Sequence, residues 1–445
     1  NSGEGNINMG YRAGRHNYTG AYNVMIGYHA GACNQSGSNN ICIGQDAGRC
    51  LYQGYDNIFI GRSSGYHADN NTSSYTCRDN VMIGYETGYC LRNGDYNTAV
   101  GYRAGRHLQD HNNNTIMGYH AGYNCTGSTN VIMGSHAGYN VSGGNNVYLG
   151  YYAGYNGGSG SHNTWIGNHA GYGVSTSTRH GNTFVGYHAG RHCYTGGYNT
   201  YLGYQAGCHT YNGAEHNVAI GYQSGYHLYD VSQYNVYIGD QAGYCARNSD
   251  YCIAIGYQTG YHMGRQHPNV NSNQTFNATN NHIMIGYKAG YCMYSGDNNI
   301  FIGRQCGESI YSGSNNVCMG YNSGRGNNSY SNNTFIGTHA GGAVTGGQNT
   351  CVGSHAGQGV GGYSNSTCIG YYAGYHARSR NTCVGNHAGY HCYGNYNTYL
   401  GDYAGYHATG GSHNVAVGYN AGYQTTGSNN VNIGHGAGYQ TYGDY

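Results

Sequence analysis

Asn23-Val24-Met25-Ile26-Gly27-Tyr28-His29-Ala30-Gly31 decides the fold, because the 445-residue chain repeats this stretch 25 times. The pattern is Asn, a β-branched residue, an apolar residue, an aliphatic, Gly, two variable residues, a small residue and a second Gly. The first copy ends at Gly14 and the last at Gly438, and successive copies are most often 17 residues apart. One short period running end to end argues for a single elongated repeat domain over 1–445. The spacing stretches at 68–79 and at 263–281, which holds Pro268; both stretches read as loop insertions.

With the first glycine of each copy as origin, the residue three before it is Val, Ile or Thr in all 25 copies (Val24, Ile41, Thr98, Thr115, Thr164). The residue before it is Ile, Val, Leu or Met in all 25 (Ile26, Ile43, Val100, Leu149, Ile433). Positions two apart share one face of a strand, and β-branched side chains suit that face. No helix fits a period of two interrupted by glycine. A strand of about five residues cannot stand alone. Each copy therefore makes one turn of a coil and pairs with the same strand of the next turn, about 4.8 Å away. The expectation is an all-β parallel β-solenoid of about 25 coils, with the Val24 and Ile26 columns as its interior. The glycines suit its corners. The small residue between them (Ala30, Ser64, Thr87, Cys306) is expected to face the aliphatic column. Asn opens the strand in 22 copies, with Cys252, His282 and Ser366 as exceptions, and stacked Asn side chains can hydrogen-bond along the ladder.

By alternation, the column two before the first glycine should face solvent. It is nevertheless apolar in 23 of 25 copies, the exceptions being Asn8 and Asn432 in the first and last repeats. Its larger members are Met25, Phe59, Met82, Ile116, Ile132, Tyr148, Trp165, Phe184, Tyr201, Tyr237, Phe301, Phe335 and Tyr399. Such a stripe is too large to leave uncovered, so it is expected to be an assembly face for further copies of the chain. Cys351, Cys368 and Cys383 occupy the same column and read as small hydrophobes at that interface.

The motif Asn-Val-x-Ile-Gly-x-x-Ala, as in Asn217–Ser224 and Asn414–Ala421, resembles the head repeats of trimeric autotransporter adhesins and related phage and bacterial tail-fibre repeats. That resemblance implies a left-handed β-roll, lateral packing of three chains and a role in surface attachment. The present repeat departs from it in a longer coil, more tyrosine and frequent cysteine.

Tyrosine follows the first glycine in 14 copies and the second in 15, the latter including Tyr66, Tyr89, Tyr123, Tyr139, Tyr155, Tyr172, Tyr226, Tyr244 and Tyr261. At rung spacing these read as stacked ladders, with a glycan- or surface-binding face or tyrosine cross-linking as the functional alternatives. Two after the second glycine stands His or Cys in 15 copies, beginning with His16, Cys33, Cys50, His67, Cys90 and His107. Simple stacking, a Cys33–Cys50 disulfide and a soft metal such as zinc are all open readings of that column. No cofactor is expected.

Charged residues are 7 % of the chain and the net charge is +1, so there is no basic field for nucleic acid. No apolar run is long enough to span a membrane. Acidic residues are too few for paired-carboxylate hydrolysis, and no Cys, His and acid recur together, which argues against an enzyme. Seventeen cysteines is an odd number. Sequons such as Asn17-Tyr18-Thr19, Asn124-Cys125-Thr126 and Asn277-Ala278-Thr279 permit secretion. The chain begins at Asn1 without an initiator Met, as a processed product or a piece of something longer would. It closes on Gly443-Asp444-Tyr445, a tripeptide that elsewhere precedes a repeat (Gly94-Asp95-Tyr96-Asn97), which suggests head-to-tail stacking. The functional expectation is an extracellular or cell-surface fibre or adhesive shaft whose partner is itself and possible further partners surface glycans. An ice- or glycan-binding solenoid and a virion tail fibre are the alternatives.

Overall fold

Each of the 25 motif copies forms a three-residue strand in the same place, from Ile7–Met9 and Val24–Ile26 through to Val431–Ile433. The computed structural model describes residues 3–68, 76–173, 179–211, 213–229, 231–264, 279–326, 330–359, 364–440 and 442–443. Pro268, the sequon at Asn277, most of both expected insertions, Asn1 and the closing Asp444-Tyr445 lie outside them. The chain falls into two compact units, Asn1–His216 and Asn217–Tyr445. Each is a parallel β-solenoid with stacked coils about 17 residues apart.

Pairing is in register from turn to turn. Val24, Met25 and Ile26 lie beside Ile41, Cys42 and Ile43, and in the second unit Thr334, Phe335 and Ile336 lie beside Thr350, Cys351 and Val352. Backbone bonds run both ways between turns: Ile41 N–H donates to Asn57 O and Gly44 N–H to Ile26 O, each at 2.8 Å. Gly27 ends its strand at φ 135°, and a Cβ there would sit 2.5 Å from the Gly44 carbonyl oxygen of the next turn. Only glycine allows that approach.

Inside and outside are reversed from the alternation argument. Met25, Phe59, Met82, Ile116, Ile132, Tyr148, Trp165, Phe184, Tyr201, Tyr237, Phe301 and Phe335 have no exposed surface and Tyr399 has 1 %. They are the core and not an assembly face. Cys351, Cys368 and Cys383 are buried with them. The Val24 and Ile26 columns are the outer ones, half-buried in most turns. A three-residue strand with both faces apolar satisfies the alternation rule either way, so pattern alone cannot orient it.

The wall opposite the strand explains why the bulky column fits inside. Nine residues beyond the inner residue, most described coils turn a second side chain inward, and in several of them a small residue on one wall meets a larger one on the other. Ala99, Cys42 and Ala219 face Leu108, Leu51 and Leu228, whereas Phe59, Tyr237 and Tyr399 face Ala68, Ala246 and Ala408. Opposite Tyr148 stands Gly157, where a Cβ would come 2.9 Å from the phenol oxygen. Such complementary pairs are what close packing favours. Parts of this wall form a second parallel ladder, such as His192–Cys193 beside His209–Thr210 and, in the second unit, His227–Tyr229 beside Cys245–Arg247. The small residue between the glycines (Ala30, Ser64, Thr87, Cys306) is buried, as expected, but against the Met25 column.

The asparagine ladder forms. Asn57 donates both its backbone N–H and its side-chain amide to Asn40 Oδ1 at 3.0 Å, and Asn40 does the same to Asn23 Oδ1 at 3.0 and 3.1 Å. Asn40 Nδ2 also reaches Gly54 O at 2.7 Å. The exceptional copies keep the acceptor where it is needed: His282 Nδ1 accepts from Asn299 N–H at 3.2 Å and Ser366 Oγ from Asn381 N–H at 3.2 Å.

Candidate functional site

Reversing the strand puts a two-column apolar and hydroxyl face on the outside of each unit. Met117 is 40 % exposed, Ile285 37 %, Ile336 38 % and Ile369 41 %. Thr98, Thr115 and Thr164, expected in the interior, line this outer face, with Thr115 exposed and the other two half-buried. In the second unit Thr334, Thr350, Thr367, Thr382 and Thr398 follow one another in five paired turns. A strand side chain stands nearly perpendicular to its sheet, so these methyls and hydroxyls present a flat regular array.

Around the corner the surface becomes aromatic. Tyrosines after the first glycine are exposed and stacked, as in Tyr85–Tyr102–Tyr119 with centroids 5.0 and 5.2 Å apart. The next residue is held at positive φ (His120 52°, His136 55°, Tyr152 54°) and continues the paving. His120 and His136 are 5.2 Å apart, His136 and Tyr152 4.8 Å, Tyr152 and His169 5.3 Å. Burial, aided by neighbouring cations, lowers the pKa of His120 and His169, and brings His188 down to about 4. These imidazoles are stacking surfaces held neutral.

The tyrosines after the second glycine form the expected ladders. Tyr66 stacks on Tyr89 at 5.0 Å; Tyr123, Tyr139, Tyr155 and Tyr172 follow at 4.9, 5.1 and 5.3 Å; Tyr226, Tyr244 and Tyr261 at 5.1 and 4.8 Å. Arginines cross them: Arg106 lies 4.7 Å over Tyr89 and is held by Glu86, which also pairs with Arg103 at 2.8 Å. Burial raises the Glu86 pKa, but hydrogen bonds from Arg106, Tyr85 and Arg103 outweigh it and the net shift is downward.

The His/Cys column is assembled but does not converge. His16 touches Tyr18, His67 meets Tyr66 and Tyr89 edge-on, His107 meets Tyr123 edge-on, and burial raises the Cys90 pKa. Among the described residues no three His, Cys, Asp or Glu side chains gather as a metal site, so the zinc reading has no site to act on. None of the 17 cysteines is in a disulfide. Cys33 and Cys50 are nonetheless in contact. The Cys50 thiol, hydrogen-bonded to Cys33, lowers the Cys33 pKa to about 6 against the effect of burial, with Arg49 and Arg15 assisting. Asn17 of the first sequon is 3 % exposed and its amide is bonded to Gly20 O, so it is closed to a glycan in the folded coil.

One buried group escaped the sequence reading. Arg179 is fully buried, its guanidinium 4.5 Å over the Trp165 ring and donating to Asn156 O at 2.9 Å and Cys193 O at 3.1 Å. It belongs to a coil of 19 residues between Gly167 and Gly186 and stands 14 residues beyond Trp165, out of phase with the nine-residue spacing of the other coils.

These features define a class: a parallel β-solenoid with an aromatic-paved corner and a flat aliphatic and threonine face. No protein-family model matches the chain, and no curated protein is significantly similar to it.

Proposed function

We propose that this is a non-enzymatic structural protein whose copies associate side by side through the outward strand face, forming an extracellular fibre or sheath. The observation that carries the reading is that face itself: aliphatic in one column and Val, Ile or Thr in the other, repeated in every strand, and broken by no charged residue. Flat, uncharged surfaces of this extent are covered in water. Exposed ladders of tyrosine add stiffness and a repeated surface, and a net charge of +1 does little to hold copies apart.

The test is the purified full chain by sedimentation and negative-stain electron microscopy, beside the variant Ile285→Lys/Ile302→Lys/Met319→Lys. Association of the parent and its loss in the variant, with an unchanged circular dichroism spectrum, is the expected result. A monodisperse parent at high concentration overturns it.

A second reading, ice binding, is favoured by the outward position of the threonine column. Thermal hysteresis that disappears in Thr350→Lys/Thr367→Lys would select it over self-association.

A further inference from the structure

A concavity of about 830 Å³ lies in the second unit, where the coil is shortest. Gly370 and Gly385 are 15 residues apart, against 17 for the coil before and 16 for the coil after. The missing residues come from the corner between Gly374 and Asn381. The sequence spacing thus creates the cavity, which is lined by His376, Arg378, Arg380, His391, Tyr393 and Tyr396.

The chemistry of this notch differs from the rest of the surface. No Asp or Glu occurs between Glu308 and Asp402, and Glu308 is taken by Arg325 at 2.8 Å. Arg378 and Arg380 are both exposed, and no described carboxylate lies within ion-pair distance of either. Arg380 packs 5.0 Å from the Tyr396 ring and donates to its hydroxyl, which fixes the direction of the guanidinium. His376 and His391 stack at 5.5 Å on the notch wall, and the Tyr393 hydroxyl shares a 3.5 Å hydrogen bond with His391 Nδ1. Tyr393 and Tyr396 keep 43 and 48 % of their surface open.

The geometry points to a binding site for an acidic saccharide. Guanidinium forks recognise a carboxylate or sulfate in bidentate fashion. Exposed tyrosine rings offer an apolar face and a hydroxyl to a sugar ring. The volume lies in the range that takes a ligand of a few rings. Two guanidiniums in a chain of net charge +1 are too few for a polynucleotide, whose affinity grows with the number of phosphates neutralised. This inference does not depend on self-association, because the notch is complete within one chain.

The experiment is isothermal titration of the full chain with a sulfated dextran oligosaccharide, an oligogalacturonate, neutral dextran and inorganic sulfate. At least one acidic oligosaccharide should bind, neutral dextran should not, and inorganic sulfate should bind at least tenfold more weakly. The sulfated and uronate arms tell which acid is preferred. Arg378→Gln/Arg380→Gln should lose at least tenfold in affinity for the acidic oligosaccharide, and Tyr393→Ala about threefold, with circular dichroism unchanged. As a control for folding, Arg304→Gln, on an exposed corner elsewhere in the second unit, should bind like the parent. No binding of either acidic oligosaccharide, equal binding of inorganic sulfate, or full affinity in the double-Arg variant overturns the inference.

Discussion

Phe335 and Ile336 are neighbours in one strand, share one backbone ladder, and have opposite surroundings: Phe335 has no exposed surface and Ile336 is 38 % exposed. The inner column ranges from Ala219 to Trp165, and in several coils the opposite wall compensates, as Leu228 does for Ala219 and Ala246 for Tyr237. The outer columns are held to β-branched and aliphatic residues with nothing behind them. Variation inside and uniformity outside is the reverse of the usual expectation for a core. Packing here is set by pairs of side chains across the coil, while the outer face repeats as a surface.

The sharpest way to break this contrast is truncation on either side. Phe335→Ala should destabilise by about 3–5 kcal/mol and Ile336→Ala by about 1 kcal/mol or less in urea unfolding. Comparable losses would mean that the outer face is covered in solution. Next in size is the polar ladder. Asn40→Ala strips Asn57 of its acceptor for two donors and should cost about 2–3 kcal/mol, since buried unmet donors are expensive. Smaller still is the aromatic surface: Tyr139→Leu removes stacking on Tyr123 and Tyr155 and should cost about 1 kcal/mol.

Two further measurements probe the corner columns. His188 and His192 are held down to about 4, by burial first and then by nearby positive charges, against an ordinary value of 6.5. Between those values the unfolded chain binds protons that the folded chain refuses. Stability should therefore fall as pH drops from 6.5 toward 4 and then level off. Melting temperatures of the parent and of His188→Asn/His192→Asn should converge at high pH and separate across that window. Mildest of all, iodoacetamide at pH 7 should label Cys33 first by peptide mass spectrometry, because its pKa is lowered to about 6. Cys42, pushed up to about 12 by complete burial, should react only after unfolding.

Much of the fold was legible because the repeat writes each position 25 times. The strand, its parallel pairing, the glycine corners, the asparagine ladder and the tyrosine stacks follow from column identity alone. The side of the strand that faces inward did not follow, since both faces are apolar. Two signals could have decided it. Asn8 and Asn432 break the inner column only in the first and last of the 25 copies. Within the three-residue strand, threonine occurs only in the outer column, where its hydroxyl can reach water, as at Thr115. The notch at Arg378 and Arg380 was also hidden, because it arises from the shortened coil and not from a motif. Arg179 was hidden by the loss of phase in its own long coil.

The asparagine ladder has a direction. The backbone N–H of Asn23 donates to Asn6, that of Asn40 to Asn23 and that of Asn57 to Asn40, so each of these N–H groups reads an acceptor on the coil that precedes it in the chain. A growing polypeptide exposes those acceptors in the order in which it is made. Each finished turn is then a template for the next, and only about 17 residues must be ordered at a time, a short closure with a small entropic cost. Vectorial growth of this kind keeps the registers from slipping without help from a distant part of the sequence. It makes a long repetitive chain, otherwise rich in alternative pairings, a quick one to complete.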